Sequence, residues 1–373
     1  MIFKVSTKPL CDSLNLGIIN ANVSKFYRRS CVARLSATKD ELIVNLEASK
    51  IVSEIRVKGS GDAESCNPIF VDCLLLKQLV NTFDSKVTEI EFTENAVILH
   101  AGKSKFTLAR ENADIDASEI EFKCPKVPTE EFISIDLNKS TWKYVKDHQM
   151  YALGMSFQEA VYTRVWVGSD GNVLVGDMDN GIFTDTKRSN LPSTCLLTDT
   201  IINLFNSLPE DSKIFIHDGE YIVDVKNDSY AYRAQFEPEY EGDEFGSYNA
   251  DIILGLLTAP DSGYVRISTE QLSKFLGQAE LLARSIDDRI TLTVSGNEFL
   301  LQDNNVHCII EIKSIFDHIS EYEIPFKIST LKQVLNSYDS ETVNIGPNYT
   351  DGEISGIVVW DDNLITVLAG VED

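Results

Sequence analysis

Apolar residues at 76, 79, 80 and 83 follow the i, i+3, i+4, i+7 rhythm of one helix face, and so do those at 331, 334, 335 and 338. In each case an Asp-Ser pair ends the helical rhythm, and an alternating stretch follows ("VTEIEF" and "TVNI"), as expected for a half-buried strand. The two stretches, Leu76–Ile90 and Leu331–Ile345, are identical at seven of fifteen positions. A third segment of the same sense, "LFNSLPEDSKIFI", lies at 204–216. Its Asp-Ser pair falls at 211, between those at 84 and 339, at spacings of 127 and 128. A regular period of this kind marks an internal repeat, and repeats decide the fold.

Each copy continues into more strands. "AVILHAG" and "KFTLARE" follow the first, "EYIVDV" and "YAYRAQF" the second, "ISGIVVW" and "LITVLAG" the third. A strand stands before each helix: "PIFVD", "STCLL" and "YEIPFKI". The unit is β-α-β-β-β. The rest of the chain repeats as well, because "VSTKPLCDSL" (5–14) resembles "ISTEQLSKFL" (267–276), and "DLNKSTWKYV" (136–145) is a more diverged copy. The Ser or Thr at these helix starts is a candidate N-cap. Strands such as "CVARLSA", "ELIVNLE", "KIVSEIRV", "YTRVWVGS", "NVLVGDM" and "GIFTDTK" complete the units. The 373 residues therefore read as six β-α-β-β-β units in three pairs, an α+β chain of two-layer domains. Pro125 and Pro128 punctuate the first join, and the acidic stretch "EPEYEGDEFGSYNAD" (237–251) begins the second. The boundaries are 1–127, 128–258 and 259–373.

Composition narrows the class. Hydrophobic residues make up 43%, enough for packed cores, and no apolar run is long enough to span a membrane. The start "MIFKVSTKPL" lacks the apolar core of a signal peptide. Seven cysteines without paired spacing read as thiols of a reducing compartment. The formal net charge is −25. Yet the six helices predicted at about 7–20, 73–84, 139–153, 198–208, 269–286 and 329–338 carry eight basic and six acidic residues. The basic ones are Lys8, Lys77, Lys139, Lys143, Lys146, Lys274, Arg284 and Lys332. The acids are thus concentrated outside the helices. The loop "SKFYRRS", with Lys25, Arg28 and Arg29, is the densest basic spot early in the chain, whereas the fourth helix has no basic residue.

On its length, paired units, acidic charge and helix placement, the whole chain resembles the bacterial β sliding clamp, the ring-shaped processivity factor of DNA polymerases. The resemblance implies a ring-forming homodimer, joined head to tail, whose helices encircle double-stranded DNA without reading its sequence. It implies a replicative polymerase and an ATP-dependent clamp loader as partners, no cofactor or metal, and a cytoplasmic place at replication sites. Its divergence from bacterial members points to a bacteriophage-encoded member. Lys8, Lys25, Arg28, Arg29, Lys77, Lys139, Lys143, Lys146, Lys274, Arg284 and Lys332 are then the candidate phosphate contacts. The family's client groove, between its second and third domains, maps to Tyr162, Met178, Ile182, Phe183, Pro238, Leu368 and Val371.

Rival motifs fall away. "AGKS" (101–104) has Val97 where a phosphate-binding loop needs glycine, and it does not open a helix. "DMDNG" (177–181) is followed by Ile182 where a calcium loop needs glycine; Asn180-Gly181 is a hairpin turn. The five histidines show no ligand spacing, and no nucleophile–histidine–acid set stands out. The reading is therefore of a protein that is not an enzyme. A repetitive phage tail or capsid-associated β protein is the alternative.

Overall fold

The computed structural model describes residues 1–17, 32–48, 51–111, 123–143, 145–146, 164–177, 182–186, 189–238, 240–241, 250–261, 263–282, 289–295, 298–303, 309–313, 322–350 and 352–370. They divide into two compact units, Met1–Lys139 with Asp199–Glu239, and Ser140–Thr198 with Tyr240–Asp373.

In the first unit the chain runs β1 (Ile2–Ser6), α1 (Thr7–Gly17), β2 (Val32–Ala37), β3 (Glu41–Ala48), β4 (Ile51–Gly61), β5 (Ile69–Asp72), α2 (Cys73–Asn81), β6 (Val87–Phe92), β7 (Ala96–Ala101), β8 (Ser104–Ala109) and β9 (Ile133–Asp136). α3, helical at 139–143 and 145–146, leads into the second unit with β10 (Val165–Val167), β11 (Val173–Asp177), β12 (Ile182–Asp185) and β13 (Cys195–Leu197). The chain returns to the first unit with α4 (Asp199–Ser207), β14 (Lys213–His217), β15 (Glu220–Lys226) and β16 (Tyr230–Phe236). The second unit resumes with β17 (Tyr240–Glu241), α5 (Ala250–Leu256), β18 (Val265–Ser268), α6 (Thr269–Leu282), β19 (Arg289–Ser295), β20 (Glu298–Asp303) and β21 (Ile309–Lys313). It ends with β22 (Tyr322–Lys327), α7 (Ile328–Leu335), β23 (Thr342–Thr350), β24 (Glu353–Trp360) and β25 (Ile365–Ala369).

Strand pairing repeats three times. The first strand of each pair of units lies antiparallel to the strand after the Asp-Ser turn: β1 on β6, β9 on β14, β18 on β23. The second unit's leading strand pairs with the strand after the first helix: β5 on β2, β13 on β10, β22 on β19. A backbone bond ties each junction: Thr7 N–H to Lys86 O (3.0 Å), Leu137 N–H to Ser212 O (3.2 Å) and Thr269 N–H to Glu341 O (3.0 Å). In each pair the leading strand of one unit thus completes the strand set of the other.

Sheets also continue from one predicted domain into the next. β4 pairs with β16 over Ile51–Val57 and Tyr230–Phe236. β12 pairs with β25, Ile182 opposite Leu368 through Asp185 opposite Ile365. The compact units follow these continuous sheets, so the second predicted domain is shared between them.

Local chemistry sets the helix starts. Asp72 caps α2, accepting a bond from Leu75 N–H at 2.9 Å. At α6 it is Ser268 that accepts from Gln271 N–H, while the Thr269 hydroxyl donates to Ser340 O at 2.7 Å. Thr7 likewise turns to Thr88, hydroxyl to hydroxyl at 2.9 Å. Of the Ser-Thr pairs expected to supply caps, Ser268 does so at α6, while Thr7 and Thr269 fasten the paired units together.

In the first unit Phe205 and Tyr221 pack on Phe236 at ring distances of 5.6 and 5.1 Å. Gly17 lets α1 approach β4, since a Cβ there would lie 2.3 Å from Ile55 Cδ1. In the second unit, Leu272, Phe275 and Leu276 of α6 and Leu331, Val334 and Leu335 of α7 bury against Ile290, Leu292, Val343, Ile345 and Ile357. The β12–β25 join carries a buried polar chain: Thr184 and Thr366 hydroxyls stand 3.1 Å apart, and the Tyr338 hydroxyl donates to Val359 O at 2.6 Å and lies 3.1 Å from Thr366 Oγ1. No helix among the described residues is long and apolar enough to cross a membrane.

Candidate nucleic-acid face and peptide groove

The basic candidates differ in how freely their charge is presented. Lys8 on α1, Lys146 on α3 and Lys274 on α6 are exposed and form no ion pair among the described residues. Lys143 is exposed and stands 3.5 Å from Asp339 Oδ2. Lys332 on α7 pairs with Glu280 on α6. Both pairs are open to water, and exposed pairs of this kind contribute little, so an arriving phosphate can compete for either lysine.

Two candidates serve the fold. The Lys139 ammonium donates to Asn206 O at 2.7 Å, in the last turn of α4. A cation there satisfies a helix-end carbonyl and complements the helix dipole. Burial lowers its pKa, with Glu210 opposing. Lys77 is half-buried on α2, and burial lowers its pKa too, against the raising influence of Cys73 and Cys11. Beside it Cys11 Sγ donates to Asn81 Oδ1 at 2.6 Å, and Asn15 and Asn81 exchange side-chain bonds at 3.0 and 3.1 Å, joining α1 to α2. Lys25, Arg28, Arg29 and Arg284 lie outside the described residues.

Of the groove candidates, Tyr162, Met178 and Val371 lie outside the described residues, and Ile182 is placed only as the first residue of β12. Pro238 is buried in the first unit. In the second unit Leu368 is 1% exposed inside the α6–α7 core. Phe183 is 8% exposed, in a cluster with Trp166, Leu174, Val358 and Val367 beneath Ala250, Ile253 and Leu257. α5 forms that cover, and the sequence reading assigned no helix there. Its run "ADIILGLL" has no polar face, so periodicity gave no signal. Phe183 and Leu368 are therefore packed side chains in this structure.

Among the described residues no group of three or more His, Cys, Asp or Glu could hold a metal ion. The chemistry on offer is that of surfaces, namely exposed ammonium groups, sheet edges and apolar cover.

No protein-family model and no curated protein matches the sequence. Solved structures do. A Helicobacter pylori beta clamp bound to a DNA ligase peptide aligns over 100% of both chains, at 13% identity and TM-score 0.70. A DNA polymerase sliding clamp from Bacillus subtilis aligns over 100% of this chain and 99% of its own, at 15% identity and TM-score 0.69. A DNA polymerase III beta subunit from Thermotoga maritima aligns over 100% and 99%, at 11% identity and TM-score 0.71. End to end, the chain has the fold of the bacterial β sliding clamps.

Proposed function

We propose that the protein is a DNA sliding clamp: two copies join head to tail into a ring that surrounds duplex DNA and tethers a replicative polymerase. The observation that carries this reading is the rule by which sheets continue. The fourth strand of the first predicted domain, β4, pairs with the eighth strand of the second, β16; β8 and β25 are the eighth strands of the first and third. The fourth strand of the second, β12, pairs with the last strand of the third, β25. The same rule matches the fourth strand of the third, β21, with the last strand of the first, β8, and both lie at sheet edges. A β8–β21 join between copies is heterologous, and two such joins close a dimer in which both of these edges are paired. The domain boundaries at 127 and 258 belong to this reading.

The backbone of β8 is prepared for such a join. Arg110 N–H donates to Asn95 O at 2.9 Å, in register with the β7–β8 ladder. Hydrogen-bonded positions therefore fall at Leu108, Phe106 and Ser104, and the backbone N–H and C=O of Thr107 and Lys105 face away from β7.

Lys8, Lys146 and Lys274 supply sequence-blind attraction to phosphate, and the excess of acid elsewhere discourages adhesion outside the ring. The Helicobacter pylori clamp of this fold was bound to a DNA ligase peptide, which supports a client that docks through a short peptide. An ATP-driven loader would open the ring. The test is mass in solution together with retention on DNA. A dimer kept on closed circular DNA and lost from linear DNA is expected. A monomer at micromolar concentration, or equal retention on both, refutes the reading.

A further inference from the structure

A pocket of about 490 Å³ opens on the polar face of the first unit's sheet, over β3, β4 and β16. That is within the usual range for ligand sites, roughly 300–1,000 Å³. Its floor is one register row that crosses the β4–β16 join: Glu47 lies opposite Val52, and Val52 opposite Gln235. Lys123, Cys124 and Lys126, on the segment after the first predicted domain's last strand, form the wall, and Glu220 and Glu237 complete the lining.

The wall is pinned to the sheet. Pro125 is buried. Lys126 N–H donates to Gln235 Oε1 at 2.8 Å, and the Lys126 ammonium pairs with Glu220. From below, the side-chain amide of Asn45, a residue 1% exposed, donates to Glu54 Oε2 at 3.1 Å and to Cys124 Sγ at 3.8 Å. A buried donor is thus aimed at the sulfur and holds it at the pocket. Among the described cysteines Cys124 alone is exposed; Cys11 and Cys66 are half-buried, and Cys73 and Cys195 are buried. The charges around it are of both signs. Lys126 and Glu220 answer each other, whereas Lys123, Glu47 and Glu237 are exposed and form no ion pair among the described residues. One free cation and two free carboxylates therefore surround a reachable thiol.

We propose that this pocket is a thiolation site: it takes a small disulfide whose halves each carry an ammonium and a carboxylate, and it keeps one half on Cys124. The Cys124 thiolate attacks one sulfur of the disulfide and the S–S bond breaks. A mixed disulfide forms on the protein, and the other half leaves as a thiolate that takes up the proton given up by Cys124. Lys123 holds the carboxylate of the retained half, Glu47 or Glu237 its ammonium, and Val52 lies under its methylene groups. An excess of reducing thiol reverses the exchange. The adduct lies on the seam where the first predicted domain continues into the second, and the site does not depend on ring closure.

The test uses the native full chain and three probes: cystine, zwitterionic at both ends; bis(2-hydroxyethyl) disulfide, neutral; and cystamine, with an ammonium at each end. Peptide mapping by mass spectrometry reads the rate at Cys124, and the same rates on the urea-unfolded chain remove the intrinsic reactivity of each probe. After that correction native Cys124 should favour cystine over the neutral probe by about three- to tenfold, as two exposed ion pairs allow. The preference should fade as salt is raised, because such charges are screened. Lys123→Glu removes the cation that holds the carboxylate and should put cystamine ahead of cystine. Lys123 is exposed, so the melting temperature should not move. Equal corrected rates for cystine and the neutral probe, or a Lys123→Glu chain that keeps the wild-type order, would each overturn the proposal.

Discussion

Thr107→Pro should open the ring while leaving each chain folded. Thr107 is exposed, and its N–H and C=O face away from β7, so proline removes a donor that the monomer does not use. Phe106, just before it, is already extended, the conformation proline asks of its neighbour. In the β8–β21 join the partner strand loses one bond and leaves a carbonyl unsatisfied, at about 1–3 kcal/mol per buried group. A closed dimer contains two such joins, so the total is about 2–6 kcal/mol. At about 1.4 kcal/mol per factor of ten, dimer affinity should weaken roughly 30-fold to 10⁴-fold. Sedimentation equilibrium across a concentration series reads this directly, and the melting curve of the monomer checks the fold. Leu108→Pro is the control, because its N–H belongs to the β7 ladder and its side chain is 2% exposed. It should lower stability itself. A Thr107→Pro protein that dimerises like wild type would show that β8 is not the joining edge.

Other outcomes follow from single side chains. Lys146→Glu and Lys274→Glu should reduce retention on circular DNA without changing melting temperature, whereas Lys139→Met should cost about 1 kcal/mol of stability by uncovering the end of α4; a Lys139→Met protein as stable as wild type would remove that role. Thr366→Val breaks the Thr184–Thr366–Tyr338 chain and should cost about 1–3 kcal/mol, read by urea unfolding. Phe183→Ala should destabilise by about 3 kcal/mol or more, and unchanged stability with weakened client-peptide binding would instead make it a groove anchor. Burial lowers the Lys77 pKa in the folded state, so the folded chain binds fewer protons there than the unfolded one. Stability should therefore rise with pH from the folded pKa towards the ordinary lysine value, and Lys77→Met should remove that rise in denaturation series at alkaline pH.

The repeat was legible because it is local. Helix face, Asp-Ser turn and alternating strand all fall within about fifteen residues, and the same local signals recur at 84, 211 and 339. The joins were not legible, since β4 meets β16 through backbone groups that every residue carries. α5 escaped for a different reason: apart from Asp251 its run is apolar on every side and shows no period. Among the site residues, charge was readable but its employment was not. Nothing near Lys139 in the sequence indicates that Asn206 O lies within reach. Phe183 and Leu368 read as apolar anchors on strands, and only the tertiary packing shows what covers them.

The two joins also impose an order on biosynthesis. β4 is complete by residue 61, but its neighbour β16 begins at residue 230. β12 is complete by residue 185, and β25 begins at residue 365. During translation each strand therefore waits, with an unpaired edge, while well over a hundred further residues are made. Open edges held for that long invite pairing with other nascent chains. Such long-range pairing also slows folding. Yield of native protein should thus depend more on elongation rate and chaperone supply than on the stability of the finished molecule, and a mutation that unsettles β4 or β12 should act first as an aggregation defect on the ribosome.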